Sequence, residues 1–255
     1  MSDDRARRPA GAPRTTAVQR VLDAHAEQLR ATRGRALRVL DLGGGTGGTA
    51  VPLAVAGHEL TVVDPSPDAL FSLRRRAVEQ GVEQRVRALQ GDADTVGALV
   101  GPEAAFDLVC LHGTLEVVDD PGAAVGAAAA LLAPDATLSL VVAQRLHAVL
   151  SNALAGRLER ARAVLERPDG RWGEEDPVPR RFDEPAVVAL VQEHGLTPVH
   201  VQGVRVFADL VPSALLDSEA DRAALLALEE AAAQAEEHRL LGSLGSALHV
   251  LARRG

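Results

Sequence analysis

Lysine and tyrosine are absent from this chain, tryptophan and cysteine occur once each, and aromatic residues make up 2% of its 255 residues. A single cysteine, Cys110, excludes an internal disulfide, and its apolar neighbours mark it as a buried, inert thiol. With Trp172 as the one indole and no phenol, an aromatic platform for a splayed nucleic-acid base is not evident. No apolar run reaches the ~18 residues needed to cross a bilayer. The charged start Met1-Ser2-Asp3-Asp4-Arg5 has no apolar segment behind it, so a secretory signal is not expected either. A soluble, cytoplasmic chain without a membrane or metal partner is the expectation. The net charge of −8 disfavours a sequence-independent grip on bulk nucleic acid, because 27 basic residues, all arginine, face 35 acids.

The chain is long enough for one substantial core and short for two. Residues 1–15 mix Arg, Pro, Gly and Ala without apolar periodicity and read as a disordered leader, leaving 16–255 as a single domain. From Ala17 to Arg30, Val18, Val21, Leu22 and Leu29 fit one helical face. Short apolar runs then alternate with helical lengths: Leu37–Leu42, Leu60–Val63, Val86–Leu89, Phe106–Leu111 and Thr137–Val142. That alternation is the pattern of a parallel sheet with crossover helices, an α/β fold with its core over about 36–143. It breaks over about 144–182, where a helical stretch from Leu146 to Glu166 and a polar segment predict an insertion over the sheet's carboxyl edge. Residues 183–255 return to helices and strands: a helix from Glu184 to His194, a strand across Pro198–Phe207, a helix near Ser218–Glu237 and a last strand at Ala247–Leu251.

The first strand ends at Asp41 and turns through Gly43, Gly44, Gly45, Gly47 and Gly48 into a helix. Residues without side chains let the backbone approach a ligand closely there. Gly43, Gly45 and Gly48 also satisfy a dinucleotide spacing, with Asp64 about 20 residues on as the ribose acid, so a nicotinamide-dependent oxidoreductase stays open. Asp41 leans the other way, since a carboxylate two residues before the first glycine suits a cationic methionine moiety. Asp92, with Ala93 behind it, adds an acid after the third strand. The competing readings are a helix cap for Asp64 and a surface-loop acid for Asp92, with Asp94 as a helix-start residue.

Acids ending strands one, two and three resemble the class I S-adenosylmethionine-dependent methyltransferases. The segment Phe106-Asp107-Leu108-Val109-Cys110-Leu111-His112-Gly113-Thr114-Leu115-Glu116 to Pro121 is more specific. It is similar to the bacterial tRNA 5-carboxymethoxyuridine carboxyl methyltransferases, whose pattern reads His-x-x-Leu-Glu, a hydrophobic pair and Asp-Pro. Leu138-Ser139-Leu140, Asn152, Ala155-Gly156, Gly203 to Phe207 with Asp209, and Leu241-Gly242 to His249-Val250 extend the resemblance from about Val39 to Arg253.

The resemblance implies a Rossmann-like, mostly parallel sheet with its last strand antiparallel, helices on both faces and a helical insertion after the fifth strand. It implies S-adenosylmethionine as cofactor, bound by Asp41, the glycines, Asp64, Asp92, Ala93 and His112, with Arg20 as the family's amino-terminal cofactor-contacting arginine. The implied acceptor is a wobble uridine carboxylate in tRNA. A small-molecule acceptor and a cofactor-binding module without catalysis remain alternatives. An ionised carboxylate needs positioning and desolvation more than a base. Arg205, flanked by Val204 and Val206 in a strand-like run, is the candidate clamp, with Arg145 second. For a hydroxyl or amine acceptor, His112 or His147 is the candidate base. The family's tryptophan after Leu-Glu is Val117 here, and its Asn-Ala-His-Gly is Gln144-Arg145-Leu146-His147.

Overall fold

A computed structural model describes residues 13–101, 105–234 and 239–255. The expected leader lies outside these residues up to position 12, and the first helix, α1 (Pro13–Arg33), begins earlier than the Ala17 expected. Seven strands follow: β1 (Arg38–Leu42), β2 (Glu59–Asp64), β3 (Val86–Gln90), β4 (Phe106–His112), β5 (Leu132–Ala143), β6 (Leu196–Val204) and β7 (Ala247–Arg254). The helices after α1 are α2 (Ala50–Val55), α3 (Pro67–Glu79), α4 (Val96–Val100), α5 (Pro121–Ala130), α6 (Arg145–Leu154), α7 (Leu158–Glu166), α8 (Glu184–Glu193), α9 (Glu219–Gln234) and α10 (Arg239–Gly242).

The strands form one sheet in the order β3-β2-β1-β4-β5-β7-β6. Strands β1 to β5 pair in parallel, whereas β7 runs antiparallel to both β5 and β6. Alternate residues of the central strands enter two separate cores, because helices cover both faces. Leu40, Leu42, Val109, Leu111, Leu138 and Leu140 pack towards α5 and α8. Val39, Val62, Leu108 and Cys110 pack towards α1, α2 and α3. The order reverses between β1 and β4, and a crevice opens at such a switch point at the carboxyl ends of the strands.

Two expected elements are corrected. The helical stretch from Leu146 to Glu166 is two helices, broken where Gly156 takes φ +72°. The strand expected through Phe207 ends at Val204, and Arg205 takes φ +61°, a left-handed conformation that stops the pleat.

Candidate functional site

The glycine turn is held from below by its own backbone. Gly43 N donates to Val63 O at 2.7 Å and Gly47 N to Gly44 O at 3.0 Å. Gly43 has φ +76°, and a Cβ there would stand 2.3 Å from Thr114 Oγ1, a hydroxyl that donates to Leu42 O. At Gly44 a Cβ would meet Asp41 Oδ2 at 2.5 Å. Side chains at these positions would displace the groups that shape the turn.

The three acids stand in different environments. Asp41 is 1% exposed, and its Oδ2 has no hydrogen-bond partner among the described residues. Burial, and then the neighbouring Asp64 charge, push its carboxyl up to about 7. Asp64 accepts from Gly45 N at 2.8 Å through Oδ2 and from Ser66 N at 2.9 Å through Oδ1. The cap of α3 is Ser66, whose hydroxyl accepts from Ala69 N. Two oxygens offer about four acceptor positions, so Asp64 keeps capacity for a ligand diol. Asp92 Oδ1 accepts from Thr95 N at 3.0 Å and Thr95 Oγ1 at 2.7 Å, and the Thr95 hydroxyl bond is the main reason its carboxyl is held below the usual range.

Two cavities of about 420 Å³ each open along this edge. Gly43, Asp64, Asp92 and Ala93 line the first. Thr49, His112, Glu116 and the apolar Val141, Val142 and Pro177–Pro179 line the second. Gly113 and Val117 line both, so the cavities share a wall. Among the described residues no arginine lines either one. A sulfonium amino acid joined to adenosine carries positive charge, a ribose diol and an amino group, and the orphaned Asp41 oxygen with Asp64 and Asp92 suits each.

Gly43, Asp64, Asp92 and Ala93 line the first cavity and Gly48 and His112 the second, Asp41 lies buried beside Gly44 and lines neither, and the arginines are placed elsewhere. Arg20 is exposed on α1 and pairs with Glu230. Arg205 pairs with Asp209, lines neither cavity, and stands just past the end of the strand expected to carry it. Arg145 donates to Arg167 O and Pro168 O and pairs with Asp183, fastening the insertion. His147 Nδ1 lies 2.9 Å from Leu244 O. His112 contacts Thr49 Oγ1 at 3.1 Å and Ser139 Oγ at 2.8 Å with its two ring nitrogens, and burial lowers it to about 4. That ring is neutral at pH 7.

Sequence reasoning missed the wall of the second cavity. Arg180 donates to Leu115 O and Val118 O, binding the Pro177–Pro179 segment to the loop after β4. Arg181 grips the fully buried Asp176 through two bonds of 2.7 and 3.0 Å. The Arg-Arg pair beside prolines was visible in the sequence, but its partners were not.

The chain matches the family described as a methyltransferase domain over residues 14–201. It is 31% identical to the tRNA 5-carboxymethoxyuridine methyltransferase of Escherichia coli (strain K12) over 219 residues, covering 86% of this chain and 80% of that protein. A ubiquinone biosynthesis O-methyltransferase of Xanthomonas axonopodis pv. citri is 32% identical over 168 residues, 66% of this chain and 65% of its own. Among solved structures, the magnesium protoporphyrin IX methyltransferase of Synechocystis PCC 6803 with bound S-adenosylhomocysteine superimposes with a TM-score of 0.58 at 16% identity, covering 93% of this chain and 83% of that one. A methyltransferase from Methanosarcina mazei gives 0.57 at 17% identity, over 86% and 92% of the two chains.

Proposed function

Because this chain belongs to the class I S-adenosylmethionine-dependent methyltransferases, in the family of the bacterial tRNA 5-carboxymethoxyuridine methyltransferases, we propose that it esterifies the carboxylate of a 5-carboxymethoxyuridine in tRNA. The observation that carries this acceptor is the 31% identity over 86% of the chain. When bound, S-adenosylmethionine supplies an electrophilic methyl group on a sulfonium, open to in-line attack by an oxygen. Asp64 would hold the ribose hydroxyls, Asp92 and Ala93 the adenine edge, and Asp41 the charge of the methionine end. Methyl transfer to a carboxylate would cancel one positive and one negative charge and would leave no proton to be removed.

Opposite charges vanish in that step, so the cavity's task is to exclude water rather than to remove a proton. Val117, Val141, Val142 and Pro177–Pro179 give that cavity an apolar lining. A neutral His112 adds no competing charge.

A second reading, methylation of a small metabolite, is favoured by the arginine-free lining of the second cavity, which includes Glu116. One experiment separates them: methyl-labelled S-adenosylmethionine with tRNA whose wobble uridines carry the free carboxymethoxy group. Label in the methyl ester nucleoside is expected. Unlabelled nucleosides beside a labelled metabolite extract would overturn the tRNA reading in favour of the second.

A further inference from the structure

A line of hydrogen-bonding side chains runs from the second cavity into the interior. Thr49 Oγ1 is 3.1 Å from His112 Nδ1, His112 Nε2 is 2.8 Å from Ser139 Oγ, and Ser139 Oγ is 2.9 Å from His249 Nε2. Strand register explains the alignment. His112 pairs with Val141 and Val141 with His249, so the two imidazoles stand on one face of the sheet, with Ser139 one pleat earlier on the same face. Ser139 and His249 are 0% and 1% exposed, whereas Thr49 and His112 line the cavity. Such a chain can point in either of two directions, depending on where each proton sits.

The buried end decides the direction. His249 Nδ1 has no hydrogen-bond partner among the described residues. Burial holds this imidazole well below its usual range, so the ring is neutral and carries one proton. A proton on Nδ1 would be a buried N–H without an acceptor, whereas a proton on Nε2 leaves only a bare lone pair, the less costly defect. Nε2–H therefore donates to Ser139 Oγ. The serine's own proton then goes to His112 Nε2, which puts the proton of the neutral His112 on Nδ1, where it donates to Thr49 Oγ1. Thr49 precedes α2 but makes no side-chain cap bond to it, so its hydroxyl proton is not spent there. That proton is the one left over, and it belongs to a cavity-lining group.

We propose that Thr49 is the donor that holds the acceptor's carboxylate in the second cavity, with His112, Ser139 and His249 as positioning residues that fix the direction in which its hydroxyl donates. The assignment rests on the methyl-ester reading for the identity of the bonded group. The direction of the chain is independent of any acceptor. A hydroxyl donor also gives an arginine-free cavity a hydrogen-bond donor for an anion without adding a charge.

Two measurements test this on the 255-residue chain. Long-range proton–nitrogen correlation spectra of protein labelled with nitrogen-15 in its histidines, assigned by single-histidine substitutions, report the tautomers. His249 protonated on Nε2 and His112 on Nδ1 are expected, and His112 protonated on Nε2 overturns the inference. In the second, Thr49→Val raises KM for tRNA bearing free carboxymethoxyuridine about tenfold or more, as loss of a bond to a charged group does. The Kd for S-adenosylmethionine stays within twofold, and Thr49→Ser recovers most of the KM. A valine variant with unchanged KM, or with cofactor affinity weakened by the same factor, overturns the role. Wild-type inactivity on that tRNA would sink the acceptor assignment and with it the carboxylate as Thr49's partner, while the spectra would still decide which way the chain points.

Discussion

Replacing Asp41 by asparagine should strengthen the cofactor-free fold and weaken cofactor binding, two effects of opposite sign from one carboxylate. Asp41 titrates at about 7 when folded, against 3.8 for a solvated aspartate. The folded chain therefore holds this proton more tightly than the unfolded chain does. The stabilising proton linkage is complete below about pH 4, is lost as pH rises through 7, and leaves an ionised buried group above that. At 1.36 kcal/mol per unit, three units make the cost about 4 kcal/mol at pH 8. With about 2–4 °C per kcal/mol for a chain near this size, Asp41→Asn should melt on the order of 10 °C above wild type at pH 8. At pH 4 the two should nearly coincide. Thermal unfolding without ligand at the two pH values checks this. In calorimetric titrations at pH 8 the variant should bind S-adenosylmethionine about 10- to 100-fold more weakly, as expected for losing a bond between charged groups. Wild-type affinity should fall below pH 7, where binding must first displace the Asp41 proton. A melting difference that does not change with pH would refute this account of Asp41.

Gly43→Ala must accommodate a Cβ 2.3 Å from Thr114 Oγ1 at φ +76°, so it should lower stability by about 1–3 kcal/mol and abolish cofactor-induced stabilisation in a thermal-shift assay. Asp64→Asn keeps one acceptor oxygen for the turn but loses the charge, and equilibrium titration should show a Kd for S-adenosylmethionine raised about 10- to 100-fold. Asp176→Ala strands the Arg181 guanidinium, 10% exposed, and should cost about 3–5 kcal/mol in urea unfolding, with KM for the acceptor rising as the Pro177–Pro179 wall loosens. Arg205→Ala should leave the Kd for S-adenosylmethionine within twofold of wild type by the same titration, since Arg205 lines neither cavity.

Much of the sheet was legible because β1, β2 and β4 are buried parallel strands that leave short apolar runs between helical lengths. The end of β6 was not. Val204 to Phe207 continues an apolar alternation, yet the backbone N–H groups of Val206, Phe207 and Ala208 donate to the Glu229 carboxylate at 2.7–2.9 Å instead of to a neighbouring strand. That partner belongs to α9, and nothing local in the strand-like run announces it. Gly156, by contrast, was a readable break in the insertion helix, since glycine commonly terminates helices. Asp41, Asp64 and Asp92 could be singled out because each ends or follows a strand, a position the alternation itself marks. The Thr49 to His249 line could not, because its members meet only through the pairing of β4 with β5 and β5 with β7.

In the reading proposed above, the crevice between β1 and β4 takes S-adenosylmethionine, with Asp41, Asp64 and Asp92 as its acids. Thermal unfolding of the wild-type chain with S-adenosylmethionine and with a nicotinamide dinucleotide, each at a hundred times the Kd expected for its site, tests it most directly. S-adenosylmethionine should stabilise the fold by about 2.7 kcal/mol and the dinucleotide should not stabilise it. Stabilisation by the dinucleotide alone would contradict it.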